Sequence, residues 1–433
     1  RKNVKNSIER LQRPSIATNF ETTVPPLAHL FRDTSRYVRK NVKNSVELLQ
    51  KPSIAADPET VLSPLVALDF PVKERPGSKK DFYFWQYPCA TEKQAYENHL
   101  ELPIGSNFEK EARIVNTYLG LPWATFIDKN AHIAGLIRQV RAEIDNRRNT
   151  AAKFGYELRV HSVCQHYAWH RLESSIIASG VTDLHLSHCV ALTETTVDGR
   201  KFRIHSWPLF ATNIENPLRS IGMQIAVPAE RKQYIASFIG AYMPHYRSDV
   251  RLALQRVVAE DGGSDVILEV NDLWHFNNAV YVEQVQGTQL AVNTKLDDLA
   301  AAARYNHILS ESVFSLCPEG AGPNSLRLWE SLAVGSIPVV ISDDWVPPIL
   351  HGTSVDLKDA CIFISSRDIE TLLPTLRNMD KQEIMDRQRA CLDCYLGIKR
   401  KLAFGLPLRP SVEGINSESD FLGVDIGATS LTR

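Results

Sequence analysis

Cysteine is scarce in this chain: seven in 433 residues, scattered and odd in number. That excludes the dense disulfide framework with which small secreted domains supplement a thin core. Cys391 and Cys394 make a C-x-x-C inside a segment of helical periodicity, and no second pair completes four zinc ligands. Long apolar runs are missing as well; no stretch reaches the roughly 20 residues that cross a bilayer. Neither sign of charge is in excess. Lys and Arg total 49 against 50 Asp and Glu, a formal net charge of −1, so nothing in the overall balance would recruit nucleic acid. No targeting segment is legible, which weighs little in a chain whose first residue is Arg1. What remains is ordinary folded-protein composition, 44% hydrophobic and 23% charged, at a length that suits two or three domains.

The chain begins with a repeat. RKNVKNSIERLQRPSIA, from Arg1 to Ala17, recurs as RKNVKNSVELLQKPSIA from Arg39 to Ala55, with 14 of 17 positions identical. Val4, Ile8 and Leu11 share one helical face, as do Val42, Val46 and Leu49, and Pro14 and Pro52 end each helix. Both units are basic at their start. They read either as a duplicated helical extension packed on the folded body or as an arm that docks on a membrane surface or a protein partner. Pro71 to Lys80 is polar and reads as a linker, so residues 1–76 are expected to be a helical repeat extension with its linker.

Residues 77–229 alternate in α/β fashion. A helix is expected from Ile133 to Arg148. Strands at Leu158–Cys164, Val181–Ser187 and Phe202–Ile204 each deliver a histidine near the C-terminal end: His166, His188 and His205. Ligands of open α/β sheets bind beyond those ends. His166 and His170 have metal-ligand spacing, but Tyr167 stands where an H-E-x-x-H motif needs glutamate. A second α/β region is expected over residues 230–405. Its strand from Tyr234 to Ile239 opens into a loop at Gly240, and its helix from Ser248 to Ala259 starts beside Arg247 and Arg251, four apart. A long charged helix from Lys381 to Lys401 closes it, and a loose tail rich in Pro, Gly, Ser and Asp follows over residues 406–433.

The chain is organised around VFSLCPEGAGPNSLRLWESLAVGSIPVVISDDWVPPIL, from Val313 to Leu350. A short apolar strand runs to Cys317. Gly320, Gly322 and Pro323 break it, Asn324 or Ser325 can cap a helix, Gly335 stands just past that helix, and the β-branched run Ile337–Ile341 makes a second strand. One βαβ unit of a parallel sheet results. A glycine loop before a helix N-terminus suits a phosphate. Arg327 and Glu330 lie three apart on one helix face. The planar fork of an arginine fits a diphosphate, and a carboxylate fits a ribose diol. On spacing alone, a surface ion pair between the two is the competing reading.

This segment resembles the C-terminal signature of the exostosin-like glycosyltransferases (glycosyltransferase family 47). The resemblance rests on Cys317-Pro318, Gly320 to Pro323, Ser325, Arg327, Glu330, Gly335, Ile337-Pro338-Val339 and Ser342-Asp343. Glu319 stands where many members carry a basic or small residue, and Ser331 where alanine is usual. Weaker likeness extends to GVTDLHLSHC, which singles out Asp183, His185 and His188, and to the Phe-x-Gly ending at Gly240. The resemblance implies an α/β fold of GT-B type: two Rossmann-like domains facing a cleft, with the last long helix crossing back to the first.

It also implies that the second domain holds a nucleotide-sugar donor, through Gly240, Arg247, Arg251, Gly320, Gly322, Asn324, Ser325, Arg327 and Glu330. The first domain would hold a glycan or lipid-linked glycan acceptor, with His205 and Trp207 as binding candidates and Trp169 as a further stacking face. The transfer would invert the anomeric carbon, with the base supplied by His166, or else by His188 or Asp183. A histidine near its unperturbed pKa can accept a proton at neutral pH. Neither cofactor nor metal is expected, and the adjacent Asp343 and Asp344 do not have the spacing of a metal-binding D-x-D. Unpaired cysteines fit a cytoplasmic enzyme at the inner membrane face, while a Golgi-type lumenal domain stays open. The rival reading from another class is a non-catalytic carbohydrate-binding or scaffold protein whose repeats are the working part. A nucleotide-sugar epimerase fits the motif less well.

Overall fold

A computed structural model describes residues 58–401 apart from 63–66, 69, 104, 225–226 and 350–354. The expected repeats at Arg1–Ala17 and Arg39–Ala55, and the tail from Leu406, lie outside the described residues. Within them the protein is α/β, with two mainly parallel sheets.

The first sheet contains β1 (Ala67–Leu68), β2 (Phe108–Glu109), β3 (Ile114–Leu119), β4 (Glu157–Cys164), β5 (Asp183–Leu186), β6 (Thr193–Val197) and β7 (Arg200–Ser206). Its order is β1-β3-β4-β5-β7-β6, with β2 on β3. Every pair along β1-β3-β4-β5-β7 is parallel, and the chain always steps in the same direction. Helices α1 (Thr91–Leu100), α2 (Trp123–Asp128), α3 (Ala134–Lys153) and α4 (Glu173–Ser179) connect these strands. The six residues of β3 are all buried, as expected of a parallel strand covered on both faces.

The second sheet contains β8 (Tyr234–Ala241), β9 (Val266–Asn271), β10 (Ser312–Pro318), β11 (Ile337–Ile341) and β12 (Ile362–Ile364), in the order β12-β11-β10-β8-β9, all parallel. Here the winding reverses. After β8 the chain adds β9 on one side, then returns to place β10 on the other. That reversal is a topological switch point, where open α/β sheets leave a crevice at the strand C-termini. Helices α5 (Val250–Asp261), α6 (Val292–Ser310), α7 (Leu326–Val334) and α8 (Lys381–Lys401) accompany this sheet. Gly335 ends α7 in the left-handed conformation (φ 63°). Every residue of α7 from Arg327 to Val334 is buried, so the surface ion pair between Arg327 and Glu330 does not exist. At its centre Trp329 is 2% exposed.

Several expectations need correction. β1 joins the first sheet ahead of the boundary expected at residue 77. The stretch read as a linker is a folded turn: the Asp81 carboxylate accepts N–H groups from Gly77 (2.6 Å) and Ser78 (3.1 Å). The strand at Phe202–Ile204 is one arm of a hairpin, β6–β7, turned by Asp198 and Gly199, both at positive φ, the signature of a two-residue primed turn. β8 does not stop before Gly240, because Gly240 and Ala241 still pair with Val270 and Asn271. α5 begins at Val250, so Arg247 precedes the helix and does not share a helical face with Arg251. The C-x-x-C thiols are buried in α8 and donate to the carbonyls of Ala360 and Asp356. No helix among the described residues is long and apolar enough to cross a membrane.

Candidate active site

At the switch point, the loop after β10 and the end of β8 meet α5. Arg251, in the first turn of α5, donates to three main-chain carbonyls there: Ala241 (2.5 Å), Pro318 (3.2 Å) and Glu319 (2.9 Å). Burial pushes its guanidinium down to about 10. It lies over Tyr246 and over Phe238, 4.8 and 5.2 Å from the ring centroids. Arg327 covers the same Phe238 ring at 4.8 Å and Tyr305 at 4.9 Å, and donates to the Ile239 carbonyl. Arg219 covers Phe276 at 4.8 Å and donates to Asn213 Oδ1 (2.9 Å) and to His275 Nε2 (2.6 Å). The result is a ladder of cations and rings beneath the crevice. Such contacts are worth about 0.5–2 kcal/mol each.

Arg219 and Arg327 are 8% and 7% exposed. None of these three arginines forms an ion pair with a described residue. The buried carboxylate beside them is Glu330, which is 2% exposed; Glu319 and Asp298 also act on Arg251 and Arg219 through their charge. Its oxygens accept the Asn213 N–H (2.9 Å) and the Tyr305 hydroxyl (2.7 Å), and burial raises its carboxyl. Glu330 is thus already doubly bonded in this conformation. Two buried guanidiniums, Arg219 and Arg327, and the half-buried Arg251 against one buried carboxylate leave a positive surplus in a poorly solvated place, the electrostatic condition for holding an anion.

The rim carries the opposite charge. Arg247 makes a two-pronged contact with Asp344 and reaches Glu319 at 3.4 Å. Glu319 also accepts from Ser248 (2.6 Å) and Ser342 (3.3 Å). Asp343 turns away to hold Ser366 (2.9 Å), so the two neighbouring aspartates serve separate partners.

The glycines act differently from a simple phosphate cradle. A Cβ at Gly320 would come within 2.8 Å of the Arg251 guanidinium, one at Gly322 would overlap the His188 ring, and one at Gly240 would lie 2.7 Å from Phe238. Gly320 and Gly240 therefore make room for the ladder, and Gly322 for a histidine arriving from the first sheet. Asn324 ties the sheets together: its amide donates to the Ser187 carbonyl (2.8 Å) and accepts from Trp329 (3.1 Å). Ser325 occupies the N-cap position of α7, but its side chain makes no cap hydrogen bond.

His166 and His188 follow β4 and β5 into this region. His188 is half-buried, with its ring over Gly322. Burial, then His166 and Arg247, push its imidazole down to about 3, so it stays neutral. Tyr167 stacks on His166 (4.6 Å between centroids) and meets His188 edge-on (6.5 Å). His166 Nε2 lies 3.1 Å from Asp128 Oδ1 at the end of α2, and Gln86 donates to Asp128 Oδ2 (2.7 Å). Tyr281 reaches in from the other side; burial raises its phenol and the Asp128 charge adds to the rise.

Three predicted residues lie elsewhere. Asp183 begins β5, at the opposite end of that strand from His188. Its carboxylate is bound by His205 (2.9 Å) and Thr182 (2.8 Å), with Arg203 at 3.5 Å. Burial opposes its charge, yet the His205 hydrogen bond and the neighbouring imidazoles hold its carboxyl below the usual range. His205 sits inside β7, not beyond it. Trp207 is buried against Ala95, Tyr118 and Val163, without a free face for a sugar ring. These side chains border a buried imidazole row. His161 lies 3.1 Å from His185, which stacks on His205 at 4.7 Å.

Asp128, Arg219, His275 and Tyr281 were not singled out from the sequence. No local motif marks them, and the partners of Asp128 and the His275 partner of Arg219 lie far away in the chain.

Residues 170–379 match the exostosin GT47 domain model. Curated relatives include an exostosin-1 homolog of Caenorhabditis elegans, 36% identical over 96 residues covering 21% of this chain and 24% of the relative. A probable glucuronosyltransferase 47 A of Physcomitrium patens is 31% identical over 108 residues, 25% of this chain and 23% of the relative. A probable beta-1,4-xylosyltransferase of Arabidopsis thaliana is 31% identical over 106 residues, 24% of this chain and 25% of the relative. The matched segment thus spans about a quarter of each relative's length. Among solved structures, an alpha,alpha-trehalose-phosphate synthase (UDP-forming) from Burkholderia xenovorans aligns with a TM-score of 0.31 at 10% identity, over 70% of this chain and 73% of that one. Asp128 and His166 precede the matched residues, whereas His188 and the whole switch point fall inside them. Residues 170–379, just under half of the chain, are thus similar to the exostosin-like glycosyltransferases, glycosyltransferase family 47.

Proposed function

We propose that this chain transfers a sugar from a nucleotide-sugar donor to a glycan acceptor, in a single displacement that inverts the anomeric carbon and needs no metal. The observation that carries the reading is the set of guanidiniums at the switch point, buried at Arg219 and Arg327 and half-buried at Arg251, free of ion pairs with described residues. A nucleoside diphosphate is the anion whose charge matches that surplus. The same groups would stabilise the negative charge that develops on the departing diphosphate. His166, His188 and Tyr167 face this site from the first sheet and form the acceptor side.

The test is thermal stabilisation by UDP, GDP, CMP, ADP and dTDP, each with Mg²⁺ and with EDTA. One nucleoside diphosphate should stabilise selectively, by about 2.7 kcal/mol at a hundredfold excess over its Kd, equally with and without Mg²⁺. Stabilisation that disappears in EDTA would overturn metal independence. No stabilisation by any nucleotide would favour a non-catalytic carbohydrate-binding or scaffold protein. The carboxylates of Glu319 and Asp344 at the rim speak for that second reading, because they already neutralise Arg247.

A further inference from the structure

Resting on the transferase reading, we propose that Asp128 takes the proton from the acceptor hydroxyl and that His166 positions it. The assignment follows from where the hydrogens must be. His166 Nδ1 accepts the Ala168 N–H at 3.0 Å. A neutral imidazole has a single N–H, so its proton sits on Nε2, pointing at Asp128 Oδ1, 3.1 Å away. Both ring nitrogens are then engaged, and His166 keeps no lone pair for an incoming hydroxyl.

Asp128 is placed differently. Oδ1 accepts from His166 and Oδ2 from Gln86 at 2.7 Å. Each carboxylate oxygen can accept a second hydrogen bond. The support extends behind it: Gln86 Oε1 accepts from Gln165 (3.0 Å), and Gln165 donates also to the Cys89 carbonyl (2.8 Å). No described cation pairs with Asp128. Lys129, the next residue, spends its ammonium on the carbonyls of Lys79 (2.7 Å), Gln284 (3.1 Å) and Val285 (3.1 Å). Asp128 is therefore a fixed carboxylate, 9% exposed, held by neutral donors alone. It stands at one end of the line His166–Tyr167–His188 that leads to Gly322. In the step, the acceptor O–H bond breaks and its proton goes to Asp128. The acceptor oxygen forms a bond to the anomeric carbon, and the bond from that carbon to the diphosphate breaks, its electron pair leaving with the diphosphate.

The experiment measures nucleoside diphosphate release from a panel of nucleotide sugars, including slow transfer to water. It also measures thermal stabilisation by the matching diphosphate, on the wild type, D128N and H166Q. D128N should lower kcat by about 10²–10⁴-fold, the usual share of a general base, with stabilisation by the diphosphate unchanged. H166Q, whose amide can still donate to Asp128, should lower kcat only about tenfold and retain the acidic limb of the pH profile of kcat/KM. Wild-type kcat in D128N overturns the assignment. So does loss of the acidic limb in H166Q, which would make His166 itself the base. If the wild type releases no diphosphate from any donor, the transferase reading fails, whatever the variants do.

Discussion

The two sheets share an architecture but treat buried polar groups in opposite ways. In the second sheet the strand order reverses between β8 and β10, and three guanidiniums without an ion pair to any described residue gather at that reversal. In the first sheet the strands follow one another without reversal, and its buried polar groups include a row of imidazoles beside the Asp183 carboxylate. His161 and His185 are both lowered, first by burial, and stay neutral. One sheet gathers positive charge at its strand ends and the other keeps neutral imidazoles inside it. The first arrangement suits a donor diphosphate; the second lies at the far end of β5 from His188 and serves the sheet itself.

The most direct way to break this comparison is Arg327→Met. It removes one buried charge while keeping a long side chain over Phe238. Diphosphate affinity should fall by about 2–4 kcal/mol, the range for truncating one partner of a buried charge pair. Stability without ligand should stay level or rise, because an unpaired buried cation is a cost to folding. A variant that loses stability and keeps its diphosphate affinity would show that the ladder is structural only.

Much of the second sheet was legible in the sequence. β11 is as expected, α7 starts one residue later than expected and β10 is one residue longer at each end, because an apolar run, a glycine break and a β-branched run are strong local signals. The roles within that unit were less legible. Gly322 looks like a phosphate glycine, and only the fold brings His188 over it. Arg327 and Glu330 look like a surface pair until α7 is seen to be buried all round. Asp128 was invisible because its partners Gln86 and His166 lie 42 and 38 residues away. The β6–β7 hairpin is a different case: Asp198-Gly199 marks its turn in the sequence itself.

Acid should expose the first sheet's side of the comparison. His161 is held at about 4, against 6.5 in an unfolded chain. Between those values the unfolded state binds more protons, so stability rises with pH and falls as pH is lowered. The neutral row's contribution is intact above pH 6.5 and is lost as pH drops toward 4. Each such histidine contributes a slope of about 1.4 kcal/mol per pH unit. His161→Gln, which can still face Asn116 and His185, should flatten the denaturation curve between pH 6 and 4 by about one proton. An unchanged slope would mean that His161 titrates normally.

Gly322→Ala tests the contact between the two halves. The added methyl overlaps the half-buried His188 ring, which must shift, at a cost of about 1–3 kcal/mol. If His188 lies on the proposed acceptor side, turnover should fall more than diphosphate affinity, since the guanidiniums are untouched. Equal losses in both would place Gly322 in the donor site proper, as the sequence alone suggested.

The smallest effect is expected at the residue that looks most like a phosphate ligand. Arg247 stands at the crevice rim beside the glycine loop, and by position it is the natural diphosphate arginine. Its charge is already answered by Asp344 and Glu319, and its side chain is 31% exposed. Exposed pairs of this kind contribute about 0–1 kcal/mol. Arg247→Ala should therefore change stability and diphosphate affinity by less than about 1 kcal/mol, well below the effect of Arg327→Met. Removing the pair's acid instead, with Asp344→Asn, should leave Arg247 less neutralised and tighten diphosphate binding slightly, more at low salt than at high salt. If Arg247→Ala weakens binding as much as Arg327→Met does, the exposed rim, and not the buried ladder, holds the donor. The contrast between a charged second sheet and a neutral first one would then be a matter of surface charge.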